Sequence, residues 1–192
     1  MPSLVGSEMC IRDRYSEDGL IEQATEDGLK KLGWKVVTAW TKESFGTEGL
    51  LGRDNKSEVI LSRYLLQALE KLNPNVPQTA YETAIEQISQ KVADKTLGRI
   101  NKEKNDLLKN GVPVSFTNEK GELVKKKLKV FNFKKYTDNH FLAVRQLEVV
   151  GELYNRRPDV VVFINGLPIS VIELKNPVDE NATIDDAYNL SL

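Results

Sequence analysis

Two apolar runs, Val160–Ile164 and Leu167–Leu174, are separated only by Asn165-Gly166. Few short sequences restrict a chain more tightly. Asn and Gly tolerate the positive φ that a type I′ turn needs at both central positions, and that turn matches the twist of the strands it joins. The pair predicts a β-hairpin, and both strands are apolar enough to need cover. Charge enters only at the hairpin's open end. Asp159 precedes the first strand, while Glu173 and Lys175 close the second with Leu174 between them. Side chains alternate faces along a strand, so Glu173 and Lys175 point the same way. Such charges are costly to bury unless they are paired or metal-bound.

Two acids on neighbouring strands and one ammonium are what Mg²⁺-dependent phosphodiester hydrolysis requires. Mg²⁺ is usually held by one or two carboxylates, keeps several waters and takes further ligands from phosphate. A water bound to it becomes more acidic, and a nearby ammonium can orient the resulting hydroxide and offset developing charge. The Asp…Glu-x-Lys pattern alone is short, and a hairpin with solvated end charges is its plain alternative. Register separates the two. A strict two-residue turn puts Asp159 opposite Ile172 and sends Glu173 to the wrong face. One extra residue, as a bulge near Pro168 or a three-residue loop, brings Asp159 across from Glu173.

Elsewhere the pattern alternates helix and strand. Ser16–Leu32 reads as a helix stopped by Gly33, and Trp34–Trp40 as a strand. A glycine-rich loop (Gly46, Gly49, Gly52) precedes a helix opening at Ser57, with Leu61, Leu65, Leu69 and Leu72 at helical spacing. Thr79–Asp94 is a third helix, and Arg99–Asn110 fits either a helix or a long loop. Pro113–Phe116, Leu123–Phe133 and Phe141–Leu153 read as strands, and Thr183 with Asp186 begins a final helix. The expected fold class is α/β: a mixed central sheet flanked by helices.

Bulk properties exclude more than they assign. With 192 residues, 40% hydrophobic and 29% charged, the chain can bury one domain core. Its net charge is −1, so any nucleic-acid surface must be local. A single cysteine, Cys10, excludes an internal disulfide and thiolate metal clusters. No apolar run reaches a membrane span, and no secretory pattern opens the chain, so a cytoplasmic protein without a membrane partner is expected. Leu4–Arg14 has neither helical nor strand period and resembles translated sequencing adapter. Residues 1–14 are therefore expected to be a non-native or disordered leader before a domain spanning 15–192, and Leu190–Leu192 looks similar.

The runs DNHFLAVRQLEVVGE, NRRPDVVVFINGLPISVIELKNP and DENATIDDAYN, all within Asp138–Asn189, resemble the R subunit of type I restriction enzymes. LIEQATEDGLKKLGWKVV and LGRDNKSEVILSRYLLQALEKLNP resemble it too, so the likeness covers nearly all of Tyr15–Asn189. It implies a restriction-endonuclease-like PD-(D/E)xK core at the front of a longer motor protein. It implies metal binding at Asp159 and Glu173, catalysis by Lys175, and Glu22 on the first helix as an additional acid; for Glu22 a solvent-facing helix acid is the alternative. Mg²⁺ is the implied cofactor, and ATP serves only motor domains that this chain lacks, since no phosphate-binding Gly-x-x-x-x-Gly-Lys-Ser/Thr loop occurs. Double-stranded DNA and the methylation and specificity subunits are the implied partners. The family continues with a Gln-x-x-x-Tyr motif; Leu190 stands where its Gln is expected. A catalytically inert DNA-binding or subunit-assembly module of the same fold is the competing function. A structure-specific repair nuclease fits the motif but not the flanking resemblance.

Weaker features remain. Residues 119–135 hold seven lysines and two glutamates, either a phosphate-following patch or a strand face that discourages edge pairing. Arg156 and Arg157, just before the acidic strand, are the better candidates for DNA contact, with pairing to nearby acids as the alternative. His140 lacks histidine or cysteine partners and reads as structural, and Trp34 and Trp40 read as core.

Overall fold

A computed structural model of the chain describes residues 17–40, 42–90, 96–151 and 154–174. In order they form α1 (Glu17–Lys31), β1 (Lys35–Thr38), α2 (Ser62–Leu72), α3 (Gln78–Ser89), α4 (Leu97–Asn110), β2 (Val112–Thr117) and β3 (Leu123–Leu128). A 3₁₀ turn (Tyr136–Asp138) leads to β4 (Phe141–Arg145), β5 (Val149–Val150), β6 (Asn155–Arg156), β7 (Val160–Ile164) and β8 (Leu167–Ile172). The expected leader and the helix expected at Thr183 lie outside the described residues. What is described is a mixed α/β fold in two compact units. Of the described residues, one comprises those up to Lys42, those within Leu142–Val162 and those from Ile169; the other comprises those within Glu43–Phe141 and Phe163–Pro168.

In the first unit, α1 ends because Gly33 takes φ +86°, which costs glycine nothing. Gly33 N–H then bonds Lys30 C=O and Trp34 N–H bonds Leu29 C=O, satisfying carbonyls the helix leaves open. The principal sheet has the order β1-β4-β7-β8. β1 runs parallel to β4, with Val36 opposite Ala143 and Thr38 opposite Arg145. Gln146 N–H bonds Asp159 C=O and Asn165 N–H bonds His140 C=O, both at 2.9 Å, so β7 runs antiparallel to β4. One face of this sheet buries Ala143, Val160 and Val162, against which Leu29, Trp34, Val36 and Ile172 pack.

The second unit buries the apolar faces of α2 and α3 on the β2–β3 ribbon. Leu65, Leu69, Ala84, Ile88, Val112, Val114 and Leu128 share this core with Leu167. Ribbon register pairs Val114 with Lys126 and Ser115 with Lys125. Asn73, buried beyond α2, donates from Nδ2 to Leu69 C=O and Lys129 C=O, both at 2.9 Å, and accepts Lys129 N–H at 2.8 Å. Lys104 Nζ donates to the carbonyls of Gln87, Ile88 and Gln90, closing the C-terminus of α3.

Several expectations need correction. α2 begins at Ser62, not Ser57. Ser57 Oγ and N–H both donate to Asn55 Oδ1, and Lys56 and Glu58 present their carbonyls to Arg53. That backbone is therefore committed before the helix starts. α3 ends at Ser89 with Gln90 as its cap and β3 stops at Leu128, while of the two alternatives left open for Arg99–Asn110 the helix is the one formed, over Leu97–Asn110. The run Phe141–Leu153 is not one strand: Gln146 at φ +53° breaks it after β4. Trp40 is half exposed rather than core.

Candidate active site

Asp159 sits one residue before β7, half-buried, and nearly every atom that can bond is engaged. Its C=O accepts Gln146 N–H. Its Oδ1 accepts Gln146 Nε2 at 3.2 Å and its Oδ2 accepts Leu174 N–H at 2.8 Å. The first of these contacts follows from the left-handed backbone of Gln146, which ends β4 and turns its amide back on the sheet. The same amide nitrogen donates to Glu22 Oε1 at 3.1 Å. The carboxylates of Glu22 and Asp159 are thus gathered on one donor, their bonded oxygens no farther apart than two hydrogen bonds laid end to end.

Arg145, the residue before, balances this acidity. Its guanidinium pairs with Glu22 and, at 2.5 Å, with Glu26. Glu26 also takes Lys30 at 2.6 Å. That bond, with help from Arg145, holds the Glu26 carboxyl below its ordinary value against the opposing effect of burial. Glu22 is therefore not a solvent-facing helix acid.

Glu173 is half-buried and directly precedes the Leu174 N–H that Asp159 accepts. The hairpin turn has two residues, Asn165 at φ 52° and Gly166 at φ 80°, which rules out the three-residue loop. An unbroken ladder from that turn would nonetheless put Ile172 on the face opposite Val160. Ile172 packs against the cluster of Ala143, Val160 and Val162. Lys175 lies outside the described residues. Among the described residues, no three His, Cys, Asp or Glu side chains form a group able to hold a metal ion; the pair Glu22 and Asp159 is what is assembled.

The remaining candidates fall elsewhere. Arg156 lies 5.1 Å over the Tyr154 ring and Arg157 4.2 Å over the Trp40 ring. Both are cation–π contacts, not the acid pairs that stood as the alternative to DNA contact, and among the described residues the buried Arg156 Nε has no hydrogen-bond partner. His140 stacks on Tyr64 at 5.0 Å and its N–H donates to Asn165 Oδ1, as expected of a structural residue. Sequence reasoning missed Arg145 and Gln146. Their one signal was a polar pair ending the apolar run Phe141–Val144. Among the described residues no helix is long and apolar enough to cross a membrane.

Comparison with known proteins adds a second line of evidence. Residues 14–190 match the family described as the type I restriction enzyme R protein N terminus. The chain is 34% identical over 170 residues to the type I restriction enzyme HindI endonuclease subunit of Haemophilus influenzae, covering 88% of this chain and 16% of that protein. A Methanocaldococcus jannaschii protein, provisionally named type I restriction enzyme MjaIXP endonuclease subunit, is 31% identical over 186 residues, covering 92% of this chain and again 16% of the relative. The chain therefore spans about one-sixth of the length of these relatives.

Proposed function

Since this chain belongs to the family of the type I restriction enzyme R protein N terminus, we propose that it is the PD-(D/E)xK endonuclease domain of such an R subunit, hydrolysing phosphodiester bonds of double-stranded DNA. The observation that carries this reading is the engagement of Asp159 by Gln146 and by Leu174 N–H. These bonds fix the carboxylate beside Glu22 and beside the backbone that follows Glu173.

The donor set fits a hard divalent cation: it is all oxygen, and Mg²⁺ takes only one or two carboxylates from a protein. Asp159 and Glu173 would hold it, with Glu22 as the additional acid. Mg²⁺ supplies there a more acidic water and neutralisation of phosphate charge. Gln146 and Leu174 N–H orient the Asp159 carboxylate, Arg145 holds Glu22, and the Lys175 ammonium stabilises charge developing on the phosphate. Arg156 and Arg157, immediately upstream, contact the DNA backbone. Restriction of foreign DNA in the cytoplasm then needs the methylation and specificity subunits for site recognition, and ATP-driven motor domains elsewhere in the R subunit.

One observation favours a second reading, an inert DNA-binding or assembly module. Arg145 already engages Glu22 and Glu26, leaving less acid for a cation. Nicking of supercoiled plasmid in Mg²⁺ separates the two. The nuclease reading expects cleavage by the chain and a loss on the order of 10²-fold in Lys175→Ala. Equal rates would remove Lys175 from the mechanism, and no cleavage by either protein would favour the module.

A further inference from the structure

The second unit carries a charged surface that the nuclease reading does not use. Along β2 and β3 one face of the ribbon is packed under α2 and α3 through Val112, Val114 and Leu128. The other face presents Pro113, Ser115 and Thr117 on β2, and Leu123, Lys125 and Lys127 on β3, all exposed. Register places Lys125 across from Ser115 and Lys127 across from Pro113. Lys126 belongs by alternation to the packed side, yet it too is exposed. The chain arrives at this end from α4 through Gly111, where an added Cβ would lie 3.0 Å from Leu128 C=O and 3.2 Å from Lys127 Cβ. Lys109 precedes that glycine by two residues.

Three consecutive lysines on one short strand repel one another, and in a chain of net charge −1 such concentration needs a cause. Among the described residues none of Lys125, Lys126 and Lys127 pairs with an acid. Lys135, by contrast, pairs with Asp138 at 3.0 Å. The acids of the segment, Glu119 and Glu122, sit at the turn, where Glu122 accepts Asn118 Nδ2. We propose that the uncovered face of the β2–β3 ribbon is a contact surface for the phosphate backbone of duplex DNA. The chemistry favours backbone over base: the face offers ammonium point charges and two hydroxyl donors, with no aromatic ring among its six residues to stack a base. This inference rests on the reading of the chain as a DNA-acting domain, but it requires no cleavage and no metal.

The test is fluorescence anisotropy of a labelled duplex with the full 192-residue chain in EDTA, across a series of KCl concentrations. Each phosphate neutralised contributes roughly 0.9 to the slope of log affinity against log salt. K125Q/K126Q/K127Q is expected to reduce that slope by about 1.8, the share of the two lysines on this face, and to weaken binding ten-fold or more at low salt. The single variants Lys125→Gln and Lys127→Gln, which test the face if the triple variant misfolds, should each remove about 0.9. The triple Lys→Arg variant should retain the wild-type slope. An unchanged slope in the glutamine variants overturns the proposal, as does a wild-type chain that binds no duplex. Unchanged DNA binding with new concentration-dependent self-association would assign the lysines to edge protection instead. A ribbon built for an acidic protein would likewise leave affinity and slope for DNA untouched. Because the readout is binding without Mg²⁺, its failure is distinct from a failure to cleave.

Discussion

Replacing Gly166 by alanine should test how the hairpin is seated. Gly166 has φ +80° and Gly121, in the β2–β3 turn, has φ +78°. Both glycines lie in the second unit, so a Cβ imposes nearly the same left-handed strain at each, about 1–2 kcal/mol. Their surroundings differ completely. A Cβ on Gly121 meets nothing within 4 Å, whereas one on Gly166 lies 2.5 Å from Leu61 C=O, 2.7 Å from Leu65 N and 3.1 Å from Tyr64 Cβ. The first two are backbone atoms at the start of α2, and Leu61 N–H also bonds Gly166 C=O at 2.9 Å. Neither can swing aside like a side chain, so overpacking adds about 1–3 kcal/mol. Gly121→Ala should therefore cost about 1–2 kcal/mol and Gly166→Ala about 2–5 kcal/mol. Urea unfolding of both variants at unchanged m-value reads the difference. Equal destabilisation, within about 0.5 kcal/mol, would refute the close approach of turn and helix.

Two further outcomes follow from charged groups. Arg53 is fully buried with Glu43 nearly so, joined at 2.5 and 2.7 Å. Arg53→Ala strands the carboxylate and should cost about 3–5 kcal/mol by denaturant titration, whereas R53M/E43L should recover most of that loss. Glu26 is held below its ordinary 4.5 first by Lys30 and then by Arg145. A depressed carboxylate stabilises the fold in full above its unfolded pKa, and that contribution is lost as pH falls below 4.5 through the folded value. Urea midpoints measured from about pH 6 to pH 3 should therefore fall more steeply in the wild type than in Glu26→Gln; parallel profiles would contradict it.

The hairpin was legible because local chemistry dictates it. Asn165-Gly166 has one favoured use between apolar strands, and the two-residue turn it forms is the expected kind. The one-residue offset expected in β8 is a geometric demand of the motif rather than of the local hydrophobic pattern. What escaped was non-local. The start of α2 is set by Arg53, whose guanidinium binds the carbonyls of Lys56 and Glu58, a role invisible to helical periodicity. Trp40 looked like core because it closes an apolar run, yet it lies under Arg157, a contact that depends on the sheet bringing separate segments together. Gln146 is the clearest case. Positive φ in a residue other than glycine leaves no trace in a hydrophobic pattern, and its amide gains meaning only once Glu22 and Asp159 arrive from far along the chain.

The carboxylate of Asp159 as the anchor of a divalent ion is the premise on which DNA hydrolysis rests. Calorimetric titration of Mn²⁺, standing in for Mg²⁺, into the intact chain and into Asp159→Asn measures it without DNA. The expected result is one saturable site in the wild type, weakened at least about ten-fold in the variant while circular dichroism shows the fold retained. Superimposable isotherms, or no binding to the wild type, would contradict it.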